Sequence, residues 1–171
     1  MTTALPVAHP ARPSVAVPAC FPTLGAVRLG SGDHLLALAR AALETAEAPV
    51  QAVVGEPAGY VLVVDGWAEG RRPADVAQTL GALGDLDGRP VGLIVAAADI
   101  CDAIATLAEL RGHIAAAGGL PLDGGLCVEP ADAACDQSGD LADVTLHSRL
   151  VLLGRRVQRL AASRLTLRTT D

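Results

Sequence analysis

The chain has no lysine, and its 171 residues include one Trp, one Tyr and one Phe. Thirteen scattered arginines against nineteen acidic residues leave a formal charge of −6. That balance provides no basic stripe for a nucleic-acid backbone, so no nucleic-acid partner is expected. With aromatics nearly missing, Ala, Leu and Val must build the core, which favours thin, closely packed layers of helix and sheet. Long apolar runs are missing as well. The longest, Val91 to Ala98, ends at Asp99 and falls far short of the roughly 20 residues a membrane span needs. The opening MTTALPVAHPARPSVAVP lacks a basic start and is broken by prolines, unlike a secretory signal, so a soluble, cytoplasmic chain is expected. Cys20, Cys101, Cys127 and Cys135 form no C-x-x-C pair, and in such a chain they read as reduced, mostly buried thiols with no zinc site.

At 51% hydrophobic residues, the length suits one domain with a real core. Residues 1–13, rich in Pro and Ala, read as a flexible leader, and 164–171 as a flexible tail, leaving 14–163 for the domain. Within it, helical and strand patterns alternate. Asp33 to Glu47 has a helical apolar stripe, and Tyr60 to Val64 is a short continuous apolar run. A helix is expected from Pro73 to Leu83, with proline at its first turn, followed by a strand over VGLIVAAA. Ile104, Leu107, Leu110, Ile114 and Ala117 stand at helical spacing and stop at Gly118-Gly119. Leu126-Cys127-Val128 reads as a last strand and Leu141 to Ala162 as a closing helix. Doubly buried strands separated by helices imply a mostly parallel α/β sheet, whose ligands sit beyond the carboxyl ends of the strands. The loops near Gly25, Asp65 and Ala97 are therefore where chemistry is expected.

GAVRLGS, residues 25–31, runs directly into the helix GDHLLALARAAL. Backbone N–H groups at a helix start, the Ser31 hydroxyl and the Arg28 guanidinium together could hold a dianion. An exposed arginine and an ordinary helix cap would read the same way. Trp67 could cover a planar ligand or anchor a core or interface. Asp65 and Asp99 could be paired carboxylates for proton transfer, or caps at strand and helix ends. His34 reads as a packed or solvated residue, and the acidic stretch from Asp132 to Asp143 as a surface loop.

Over roughly residues 24 to 163 the chain resembles the flavodoxin-like NAD(P)H-dependent FMN reductases, a three-layer fold with the second strand region, around VQAVV, shortened here. The family's phosphate turn, G-S-x-R-x-x-S, matches at Gly25, Arg28 and Ser31, with Ala26 in the place of its serine. VLVVDGWAEGRRPADVAQTLGAL resembles its second flavin loop, with Trp67 where the family usually carries tyrosine. The third loop reads Ala97-Ala98-Asp99-Ile100-Cys101 where the family is glycine-rich. The resemblance implies an FMN site at Arg28, Gly30, Ser31, Asp65, Gly66, Trp67, Ala98 and Asp99. It also implies NADH or NADPH as co-substrate, a homodimer or homotetramer, and delivery of reduced flavin to a partner monooxygenase. The altered loops suit an alternative: a flavodoxin-like scaffold that has lost flavin and serves as a partner-binding or assembly module, or does cofactor-free chemistry with Asp65 or Asp99.

Overall fold

The structure, a computed structural model, describes residues 24–29, 33–44, 57–65, 78, 80–81, 86–130 and 134–168. Its sheet is made from the continuous apolar runs. β1 (Leu24–Leu29), β2 (Gly59–Asp65) and β3 (Pro90–Ala96) lie side by side and parallel. Two short strands, β4 (Leu120–Pro121) and β5 (Leu126–Val128), follow one another along the far side of β3, also parallel to it. β4 was not expected from the sequence; its Pro121 is tolerable because edge positions need not donate to a ladder on both sides. β2 and β3 are buried at nearly every residue, hence their unbroken hydrophobic runs. VQAVV lies outside the described residues.

Three helices complete the layers: α1 (Asp33–Leu43), α2 (Ile100–Ala116) and α3 (Val144–Arg168). α1 and α3 share one face of the sheet, where Leu35, Leu38, Leu150 and Val157 pack on Val61, Val63 and Ile94. On the other face Leu107, Leu110 and Ile114 of α2 pack on Leu62, Leu93 and Val95, joined by Leu80 and Leu86. Successive strand residues feed opposite cores, as the period of two requires. The small-residue composition has a direct consequence at Gly92. A Cβ there would come 2.8 Å from Val157 Cγ2, so α3 sits closer to the sheet than any other residue would permit.

Several boundaries differ from the sequence reading. β1 begins after the prolines, at Leu24, and takes in most of GAVRLGS. Val27 and Leu29 pack towards the α2-side core while Tyr60 lies against Gly25, and these contacts draw the segment into the sheet. In α2 the buried stripe is Ala103, Thr106, Leu107, Leu110 and Ile114; Ile104 is 57% exposed. α3 continues to Arg168, past the domain end expected at 163. Of the helix expected over 73–83, Gln78, Leu80 and Gly81 are described and are helical. Among the described residues no helix is long and apolar enough to cross a membrane.

Candidate functional site

Parallel pairing brings the carboxyl ends of the central strands level: Leu29 stands beside Val64, Val64 beside Val95, and Asp65 beside Ala96. α1 starts four residues after β1 ends, so its first turn overhangs this crest. Asp65 falls on the same face of β2 as Val61 and Val63, the face that α1 covers. His34, second residue of α1, reaches it there: Nε2 lies 2.9 Å from Asp65 Oδ1. An ionised carboxylate only accepts, so the bond assigns a proton to Nε2 and leaves Nδ1 as an acceptor in the neutral ring. The pair is thus an imidazole oriented by a carboxylate, able to take up a proton at Nδ1. Expected to pack or be solvated, His34 here has a specific partner. Both residues were visible in the sequence at ends that a parallel sheet makes adjacent, and that adjacency was the available signal.

Arg28 is the next-to-last residue of β1, exposed, and by strand alternation on the same face as Asp65. It stands in the ladder, opposite Val63, not in the turn that the sequence motif implied. Gly30, Ser31, Gly66 and Trp67 lie outside the described residues. Asp33, exposed in the first turn of α1, adds a second carboxylate on this side.

Ala98 and Asp99 follow β3 and are exposed. Asp99 caps α2, its Oδ1 accepting from the main-chain N–H of Cys101 at 2.7 Å and of Asp102 at 3.4 Å. Each of the two aspartates considered for proton transfer therefore has its own partner. Asp65 is bonded to His34 of α1 on one face, and Asp99 to the backbone of α2 on the other.

Cys20 lies outside the described residues, and the three described thiols are less buried than the sequence suggested. Cys101 is exposed, while Cys127 and Cys135 are half-buried; all three are free. The Asp99 carboxylate beside Cys101 holds its thiol above the usual range. Burial raises Cys127 against the opposing pull of Arg111 and Arg149. Burial also raises Cys135, assisted by Asp136 and Asp140. In the acidic loop, Asp136 Oδ1 accepts from Ser138 Oγ and from the N–H groups of Ser138 and Asp140. These bonds hold the Asp136 carboxyl below its ordinary range. Among the described residues no group of three or more His, Cys, Asp or Glu side chains could hold a metal ion. His147 Nε2 lies 3.2 Å from Glu44 Oε2, linking the start of α3 to the end of α1.

Neither a family profile nor a curated protein sequence matches the chain. Among solved structures, the chain is similar to oxidised flavodoxin 2 from Bacillus cereus, with a TM-score of 0.52 and 17% identity. The match covers 83% of this chain and 98% of that one. At this identity the likeness establishes a flavodoxin-like α/β fold, in agreement with the parallel sheet and its two helical layers.

Proposed function

We propose that the chain is a flavin-dependent oxidoreductase that binds FMN at the carboxyl ends of β1, β2 and β3 and reduces it with NADH or NADPH. In this reading it works as a homodimer or homotetramer and hands reduced flavin to a partner monooxygenase. The observation that carries the reading is the meeting, in a flavodoxin-like fold, of the exposed Arg28 end of β1 with the start of α1 at the crest of the sheet. A dianionic phosphate suits a guanidinium beside a helix start. The residues fit the group on that count: Arg28 is the cation, and His34, when protonated, offsets Asp65. Gly30 and Ser31 would complete the phosphate turn; Gly66, Trp67, Ala98 and Asp99 would border the ring. When bound, the flavin supplies hydride acceptance from nicotinamide, a transfer that requires positioning from the protein and no acid or base.

A second reading, a flavodoxin-like scaffold without flavin that serves as an assembly module, is favoured by one observation. Among the described residues at the crest, Asp33 and Asp65 set two carboxylates on the side of the one guanidinium, Arg28, which lowers the attraction for an anion.

Titration with FMN and riboflavin, followed by flavin fluorescence, tests both. FMN uptake with accelerated NADPH oxidation is the expected result. Arg28→Ala should then weaken FMN by about 1.5–3 kcal/mol, the range for a hydrogen bond to a charged group, and leave riboflavin unchanged. A protein that takes up neither flavin is the scaffold.

A further inference from the structure

α3 presents an apolar line to solvent. Its inner side carries the buried Leu150, Leu153, Val157 and Ala161. On its outer side Val144, Leu152 and Leu160 are 81%, 57% and 40% exposed, and Ser148 and Arg156, which stand between them, are exposed as well. These five residues are spaced by four, so they form one continuous ridge that rises about 24 Å along the helix. Single exposed leucines are ordinary, whereas three branched apolar side chains on one ridge make a surface that gains from being covered. The charged member is held to one side: Arg156 donates from Nη1 to the main-chain oxygen of Asp123 at 3.2 Å.

From either end the ridge alternates apolar and polar about Leu152, a pattern suited to a two-fold axis at that residue. Ridges made by every fourth residue interdigitate when two helices cross at about −50°. In an antiparallel pair, Val144 of each copy then comes beside Leu160 of the other, Ser148 beside Arg156, and the two Leu152 side chains meet at the axis. Charge selects the same arrangement. Ahead of α3 stand the exposed carboxylates of Asp136, Asp140 and Asp143, and along it stand six arginines and no acid. Antiparallel copies set the acidic beginning of each helix beside the arginine-bearing end of the other, with Asp143 approaching the turn of Arg159. A parallel pair opposes like charges, and the three carboxylates disfavour an anionic membrane as the occupant.

We propose that this ridge of α3 is the contact through which two copies of the chain associate as an antiparallel, two-fold dimer. The proposal rests on the functional reading only for its homo-oligomer and does not depend on flavin.

The test is sedimentation velocity of the full chain, without flavin, over a dilution series. A concentration-dependent dimer is expected. Leu152→Glu places two carboxylates at the axis and should weaken the dimer about a hundredfold or more, because a central contact is lost from both copies. Val144→Glu should weaken it about tenfold, and Leu160→Arg added to the same chain should restore most of the affinity. Positions 144 and 160 lie about 24 Å apart in one helix, so that rescue can come only from across the dimer. All three positions are exposed, and far-UV circular dichroism verifies that each variant is folded. A dimer unmoved by Leu152→Glu, or one that Leu160→Arg fails to rescue, overturns this ridge and leaves the homo-oligomer standing. A monomer at every concentration overturns both, and the flavin titration is read separately from either.

Discussion

One parallel sheet ends in two chemically opposed ways. At its carboxyl end the side chain leaving β2 is Asp65, engaged by His34, with Asp33 nearby on α1. At its amino end the same strand begins near Tyr60, whose hydroxyl accepts from Arg89, and Arg164 stands on the other side of an open cleft walled by Pro57, Ala161 and Leu165. The layers between them are apolar and buried on both faces. Parallel strands explain why such a division can arise. All carboxyl ends finish together and all amino ends start together, so each end collects side chains from several elements and can acquire its own sign of charge. The arginines that read as scattered in the sequence follow this pattern in part. Six of the thirteen lie on α3, a helix without Asp or Glu, and its last turns reach the amino end.

The largest effect expected from a single change at one end is that of Gly88→Ala. The added Cβ meets both a left-handed backbone and the Arg164 guanidinium, so the substitution should cost about 1–3 kcal/mol in chemical denaturation. The amide resonances around Asp87 and Arg89 should move, while the ring resonances of His34 at the crest should stay where they are. Movement of His34 as well would mean that the two ends are coupled through the sheet and the contrast drawn above is too sharp.

Much of this layout was legible in the chain. β2 and β3 stood out because a strand buried on both faces leaves a continuous apolar run, and α2 because its stripe ends at paired glycines. β1 was harder to read: Gly25 and Ala26 dilute its pattern, and its last residues overlap a turn motif, so Arg28 was assigned to a loop. A helical stripe read from large side chains alone includes Ile104 and passes over Ala103 and Thr106, which are the residues that are buried. The end of α3 looked like a polar tail. There, Ser163 and Thr166 return their hydroxyls to the carbonyls of Arg159 and Ala162, and Arg164 docks on the Asp87 carbonyl. The amino-end cleft could not be read at all, because Arg164 and Asp87 are 77 residues apart and only the closed fold brings them together. His34 and Asp65, 31 apart, could have been joined by the topology alone.

A smaller effect sharpens the comparison from the crest side. Asp99 caps α2 and also keeps Cys101 protonated, although a helix start ordinarily favours the thiolate. Asp99→Ala should cost about 0.5–2 kcal/mol of stability through the lost cap. Because the thiol's range is raised by the neighbouring carboxylate, removing that charge lowers it, so alkylation of Cys101 should quicken at any fixed pH below the thiol range. Asp99→Ser should recover most of the stability and retain the faster alkylation. Alkylation as slow as in the original chain would show that the carboxylate does not govern this thiol.

The smallest effect concerns the pair that gives the crest its character. The His34 and Asp65 side chains are 21% and 26% exposed, enough for water to screen them. A double-mutant cycle with His34→Gln and Asp65→Asn in urea denaturation should therefore return a coupling of about 0.2–1 kcal/mol. A value in that range describes a hydrated crest, where a polar ligand could compete for Asp65's partner and where Arg28 remains open to an anion. A coupling well above it would describe a dry, closed crest, with the imidazole committed to Asp65. The carboxyl end would then be a structural clasp between β2 and α1, and the flavin reading of the crest would lose its support.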